Sequence, residues 1–134
     1  MQDLQEITNI QQDAPGKTKR WFTSAEDDLY TWVSKDDEEG ELIAFEFCYN
    51  KLDDEHALHW HRGQAASHMR IDDGDNPGGH KRSPLAVTDG VADMDGIIER
   101  YRQVASHIEP VLYAAVLQAM QGITLQTGQQ GNPD

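Results

Sequence analysis

The strongest constraint on the fold of this chain is the alternation of side chains within residues 41–50, ELIAFEFCYN. Ile43, Phe45, Phe47 and Tyr49 fall on one side of an extended chain, and the residues between them fall on the other. A helix would spread these residues around its axis instead of placing them along one stripe. The pattern therefore predicts a β-strand with one buried face.

Three further segments alternate in the same way and lie close together in the chain. They are residues 29–34 (LYTWVS), 56–62 (HALHWHR) and 67–72 (SHMRID). Residues 84–87 (PLAV) begin with a proline, which suits an edge strand. Trp21 and Phe22 precede the first predicted strand, where paired aromatic residues are expected to cap the core. The alternative is that they cover a sheet edge or join the polar face of the sheet. The short connections between these segments predict an antiparallel sheet of four to five strands.

Two helices are predicted after the strands. Apolar residues recur at three-four spacing within residues 94–108, and Asp93 is placed to cap the first turn. Pro110 ends that helix and suits the first turn of a second one, which residues 111–121 predict and Gly122 ends. The order of the elements predicts an α+β fold, in which the two C-terminal helices pack on one face of the four- to five-stranded sheet.

The two ends of the chain differ from its middle in composition. Residues 1–16 and 122–134 are rich in Gln, Gly, Asp and Pro and have little apolar surface to offset the entropy of ordering. The sequence therefore predicts a mobile N-terminal tail over 1–16, a single α+β domain over 17–121 and a mobile C-terminal tail over 122–134.

Charge and cysteine content exclude several classes of function. The formal net charge of -13 repels a phosphate backbone, which argues against a nucleic acid partner. A single cysteine, Cys48, excludes an intramolecular disulfide and an all-cysteine zinc site. No segment has the apolar length of a membrane span, and the first residues lack the pattern of a secretory signal. We expect a cytoplasmic protein that binds neither nucleic acid nor membranes.

The candidate site is the polar side of the predicted sheet, opposite the helices. Alternation places six side chains with polar or ionisable groups there: Glu46, Cys48, His59, His61, His68 and Arg70. A register with His61 across from His68 and His59 across from Arg70 satisfies the alternation of both strands.

Two binding hypotheses use this face. In the first, His61, His68 and Arg70, with Glu46 and Cys48 beside them, hold a carboxylate or phosphate group. In the second, the face is an interface with another protein, which includes a second copy of this chain. Both describe a small acidic binding or accessory domain that needs no cofactor.

The alternative function is a zinc-dependent hydrolase on the same face. His59, His61 and His68 would supply three nitrogen ligands, and Glu46 would act as general base on a zinc-bound water. The signal is weak, because an HxH pair is common and Arg70 would place a positive charge beside the metal ion. The sequence therefore assigns no catalytic residue.

A resemblance to a group of small uncharacterised bacterial proteins is carried by the runs KRWFTSAEDDLYTWV, FEFCYNKLDDEHALHWHR, SHMRIDDGD and KRSPLAVTDG. The resemblance covers roughly residues 19–108. It implies a bacterial origin and a single compact domain, and it implies no activity, cofactor or partner.

Overall fold

The computed structural model describes residues 3–35, 40–52, 55–72, 81–86 and 93–130. These residues form one antiparallel sheet, in which the strands follow each other in chain order, and two helices after it. The strands are β1 (Gln5–Ile7), β2 (Lys17–Thr23), β3 (Asp28–Ser34), β4 (Leu42–Tyr49), β5 (His56–His61), β6 (Ser67–Asp72) and β7 (Lys81–Ala86). The helices are α1 (Met94–Ala105) and α2 (Pro110–Gln130). The predicted α+β class with an antiparallel sheet and two C-terminal helices is confirmed.

The sheet has seven strands, not the four to five predicted. The additional strands are β2 and the three-residue β1, which precede the first predicted strand. In β2, each face carries a single aromatic residue among Lys, Thr and Arg, so the alternation is obscured. Phe22 of this strand is 2% exposed and belongs to the core. The predicted edge strand over 84–87 falls in β7, which begins at Lys81, and Val87 lies outside the described residues.

The hydrophobic core lies between the two helices and one side of the sheet, which we call the inner face. Cross-strand pairing aligns two inner rows, one of Phe22, Leu29, Phe47 and Leu58 and the next of Thr31, Phe45 and Trp60. Tyr101 of α1 meets Phe47 edge-on, with ring centroids 5.9 Å apart and ring planes at 84°. The prediction that the aromatic side of β4 and β5 lies beneath the helices is confirmed. The opposite side of the sheet is called the outer face below.

Both helix starts agree with the sequence. The side chain of Asp93 accepts a hydrogen bond from the Gly96 amide at 3.1 Å, and Pro110 is the first residue of α2. The end of α2 differs, because the helix continues through Gly122 to Gln130. Ile123 is 2% exposed in the core, and its burial outweighs the cost of a helical glycine, which is about 1 kcal/mol. Neither of the helices that the structure describes combines the length and the apolar character that crossing a bilayer requires.

Regular structure reaches into both segments that were predicted as tails, since β1 lies within 1–16 and α2 runs to Gln130. Within 1–16, β1 pairs with β2, and Leu4 is fully buried in the core. The Leu4 amide donates to the Val104 carbonyl at 2.9 Å, and the Leu4 carbonyl accepts a hydrogen bond from the ring of His107. Two hydrogen bonds therefore connect the segment before β1 to the C-terminal end of α1.

A buried ion pair joins α1 to the connection between β2 and β3. Arg100 Nε lies 2.8 Å from Asp27 Oδ1, and Asp27 is fully buried. Burial raises the pKa of Asp27, while the hydrogen bond and the charge of Arg100 act in the opposite direction. The arginine thus offsets part of the cost of placing a carboxylate beneath the helix.

The segment before β2 bonds to the side of that strand that faces away from β3. The amide nitrogen of the Gln12 side chain donates to the Lys19 carbonyl at 3.0 Å, and its oxygen accepts from the Lys19 backbone amide at 2.7 Å. Lys19 Nζ also forms an ion pair with Asp13 at 3.0 Å. Three side-chain contacts therefore hold residues 12 and 13 against β2.

We predict that Leu4→Ala lowers the free energy of unfolding by about 2–5 kcal/mol, because it leaves a cavity in the core. Ile7→Ala is the matched control, since Ile7 in β1 is 37% exposed and should change stability by about 0.5 kcal/mol or less. Urea denaturation followed by circular dichroism measures both. Equal, small effects would contradict the placement of Leu4 in the core.

Candidate functional site

The outer face carries four of the six predicted site residues. His59 pairs across strands with Glu46, and Cys48 lies two residues further along β4 on the same side. His61 lies two residues beyond His59 on β5 and pairs with Ala44. The prediction that these side chains lie opposite the helices is confirmed.

His68 and Arg70 lie on the inner face, and their predicted placement beside His59 and His61 is wrong. The observed pairs between β5 and β6 are His56 with Arg70, Ala57 with Met69, Leu58 with His68, and His59 with Ser67. The predicted and observed registers differ by three residues, and an odd difference moves every side chain of a strand to the other face.

The inner position of His68 has a physical reason in its neighbours. Its ring is 3% exposed, and its Nε2 lies 2.5 Å from Tyr49 Oη. The ring of His56 stacks on it at 5.0 Å with the planes at 10°. Hydrogen bonding offsets the cost of burying an imidazole, so the polar residue is accommodated beside the core.

Neither predicted ligand set is assembled as proposed. The anion-binding set fails because His68 and Arg70 lie on the other side of the sheet from His61, Glu46 and Cys48. The zinc set of His59, His61 and His68 is divided in the same way. Within the described ranges, no group of three or more His, Cys, Asp or Glu side chains is placed to hold a metal ion.

Glu46 is a buried carboxylate at the centre of the outer face. Its residue is 7% exposed, its Oε1 lies 3.4 Å from His59 Nδ1, and Cys48 Sγ donates to its Oε2 at 3.5 Å. Burial, and then the charge of Glu46, raise the pKa of the Cys48 thiol far above its usual value. Burial and the raised pKa both favour the protonated thiol, which is the form that packs in a protein interior and reacts slowly.

A row of three aromatic residues on the outer face was not predicted from the sequence. Trp21 of β2 pairs with Tyr30 of β3, and their rings stack at 6.0 Å with the planes at 9°. Trp32 follows on the same side of β3, with its ring 6.4 Å from that of Tyr30. All three rings are partly exposed. The signal lies in the alternation of residues 17–23, which becomes readable once β2 is recognised as a strand.

Acidic side chains border this aromatic row. The indole N–H of Trp21 donates to Asp28 Oδ1 at 3.3 Å, and that of Trp32 donates to Asp13 Oδ1 at 3.1 Å. The bond from Trp32, followed by the bond from Lys19, lowers the pKa of Asp13. Glu46 pairs with Tyr30 across β3 and β4. The row therefore has carboxylates at both ends and beside its middle ring.

A cation already lies over two of these rings. Lys19 Nζ is 5.2 Å from the centroid of Tyr30 and 5.5 Å from that of Trp32. Such distances are typical of cation–π contacts. The outer face thus combines flat aromatic surface, carboxylates and a demonstrated position for a positive charge.

Comparisons of the chain with protein-family models, with curated proteins and with solved structures found no match.

We predict that His68→Ala lowers the free energy of unfolding by about 1–3 kcal/mol, because it removes a buried ring and its hydrogen bond to Tyr49. His61→Ala, on the outer face, should stay within about 0.5 kcal/mol of the wild type. Chemical denaturation of both variants tests the register of β5 and β6. A larger loss in His61→Ala than in His68→Ala would show that the faces are assigned the wrong way round.

We also predict that Cys48 in the folded chain reacts with a disulfide reagent such as DTNB about a hundredfold or more slowly than in the unfolded chain. The raised pKa and the burial of the thiol both reduce the reactive thiolate. The absorbance of the released thiolate, measured with and without concentrated guanidinium chloride, gives the two rates, and the single cysteine makes the signal unambiguous. Similar rates in both conditions would disprove this placement of Cys48.

Proposed function

We propose that this chain is a binding module whose outer sheet face docks a basic surface of a partner protein. The observation that carries the proposal is the aromatic row of Trp21, Tyr30 and Trp32, which is partly exposed and bordered by carboxylates. Neither α1 nor α2 covers this face, because both pack on the inner face.

The residue types of the row favour a protein partner. Tryptophan and tyrosine are enriched among the side chains that contribute most to protein interfaces, where they bury a large area at a small entropic cost. Between the row and β6 the face has a floor of buried, mostly short side chains. These are Ala44, Cys48, Ala57 and Met69. A partner side chain that reaches past the rings therefore meets these buried side chains and the partly exposed rings of His59 and His61.

Charge supports a basic partner over an anionic ligand. The formal net charge of -13 attracts cationic surfaces and repels anions over the whole chain. Locally, a lysine or arginine of the partner would meet the ring faces and the half-exposed carboxylate of Asp13 beside Trp32. Asp28 and Glu46 add negative charge beside the row but are largely buried, and they lie 3.0 Å from Lys51 Nζ and 3.4 Å from His59 Nδ1, respectively. Lys19 supplies an intramolecular example of that contact.

A cytoplasmic setting belongs to the same proposal. The single cysteine forms no disulfide in the chain, which accords with a reducing compartment. A homodimer through the outer face is the competing possibility, and the experiment below separates the two.

The test measures fluorescence anisotropy of a labelled arginine-rich peptide titrated with the chain, with a glutamate-rich peptide as the charge-reversed probe. We expect the basic peptide alone to bind. Trp32→Ala should weaken its binding about tenfold or more, since an aromatic anchor is lost. Val111→Ala is the control, because Val111 is a 65% exposed apolar residue on α2, and this variant should bind as the wild type does.

Two outcomes would overturn the proposal. The first is equal binding of the basic peptide by Trp32→Ala and the wild type that is lost in both at about 0.5 M salt, where exposed charges are screened, because binding would then need only net charge. The second is a wild-type dimer in light scattering that Trp32→Ala converts to a monomer, because a second copy of the chain would then occupy the face.

A further inference from the structure

We infer that His59 and His61 form a two-imidazole binding site for a divalent transition metal ion of the zinc and copper class. The site lies on the outer face of β5, beyond the aromatic row, with β4 between it and β3. It does not depend on the docking proposal, because neither histidine belongs to the aromatic row.

The strand places both rings on one side and within reach of one ion. Residues two apart on a strand point to the same face, and their Cα atoms are about 6.6 Å apart. Both side chains are partly exposed, His59 to 38%. Both imidazoles are therefore open to solvent on the same side of the strand, which is the placement that a shared ion requires.

Hydrogen-bond chemistry leaves the outer nitrogen of each ring available. His61 Nδ1 lies 3.0 Å from the Arg62 carbonyl oxygen, and a carbonyl can only accept, so Nδ1 holds the proton. In the neutral ring of His61 the lone pair is then on Nε2, which is the arrangement seen in metal-binding histidines. His59 Nδ1 lies 3.4 Å from Glu46 Oε1, so the Nε2 side of its ring points away from this carboxylate.

The surrounding charges favour a cation at this position. Glu46 pairs with His59 across β4 and β5, and its carboxylate supplies a negative charge 3.4 Å from the ring of His59. The nearest arginine in sequence, Arg62, forms an ion pair with Glu41. Arg70, whose positive charge would repel a metal ion, pairs with His56 on the inner face and therefore lies on the other side of the sheet from the two histidines.

Two protein ligands leave the rest of the coordination sphere to water. Imidazole suits zinc and copper ions, whereas magnesium prefers oxygen ligands and ideal octahedral geometry. Since no third His, Cys, Asp or Glu side chain of the described residues joins the pair, the site is open on its solvent side. We assign it ion binding and no reaction.

The test is isothermal titration calorimetry of the untagged chain with zinc chloride and copper chloride, and with magnesium chloride as the negative control. We expect one zinc or copper ion per chain and no magnesium binding. His59→Ala and His61→Ala should each weaken binding by about tenfold or more. Glu46→Gln keeps the shape of the side chain and should weaken binding by about tenfold, because the negative charge beside His59 is lost. His56→Gln is the matched control, because it removes a histidine from the inner face, and it should bind the ion as the wild type does.

The variants are checked for folding by circular dichroism before titration. Absence of zinc and copper binding to the wild type overturns the inference. Binding that persists unchanged in both His59→Ala and His61→Ala also overturns it, because the ion would then lie elsewhere. Weaker binding in both alanine variants, with His56→Gln unchanged, supports the assigned pair, and unchanged binding in one of the two overturns it.

Discussion

The packing of Phe47 against Tyr101 determines which side of the sheet is available for binding. Phe47 is fully buried between Leu29 and Leu58 on the neighbouring strands, and α1 covers it. Because side chains alternate along a strand, this one contact turns Glu46 and Cys48 to the opposite side. Residues paired across neighbouring strands lie on the same face, so the orientation of β4 also determines that of β3 and β5. The aromatic row and the two outer histidines therefore lie on the outer face.

The alternation of residues was enough to predict the central part of this arrangement. It identified the strands β3 to β6, both helix starts and the inner position of Phe45, Phe47 and Trp60. These features succeed because each depends on local periodicity or on a single capping residue. The division of β4 and β5 into two faces depends on the same periodicity and is therefore also correct.

Pairing between β5 and β6 could not be predicted in this way, because β6 has a buried residue on each of its sides. Met69 is 8% exposed on the outer face, and His68 is 3% exposed on the inner one. Hydrophobicity alone favours the methionine for the inside, whereas the structure places the histidine there and stabilises it through Tyr49. Information about such a hydrogen bond between distant residues is absent from the periodicity of one strand. The aromatic row was missed for a related reason, since it forms only when β2 pairs with β3.

The contact between Gln12 and Lys19 has a consequence for the behaviour of the sheet in concentrated solution. A strand at the rim of a sheet offers unpaired N–H and C=O groups to strands of other molecules, which is a route to aggregation. At Lys19, both of these groups are already bonded to the primary amide of one side chain, which imitates a short piece of neighbouring strand. β1 covers only three residues of β2. At Lys19, which β1 does not reach, the side chain of Gln12 therefore occupies the position where a strand of another molecule could otherwise pair.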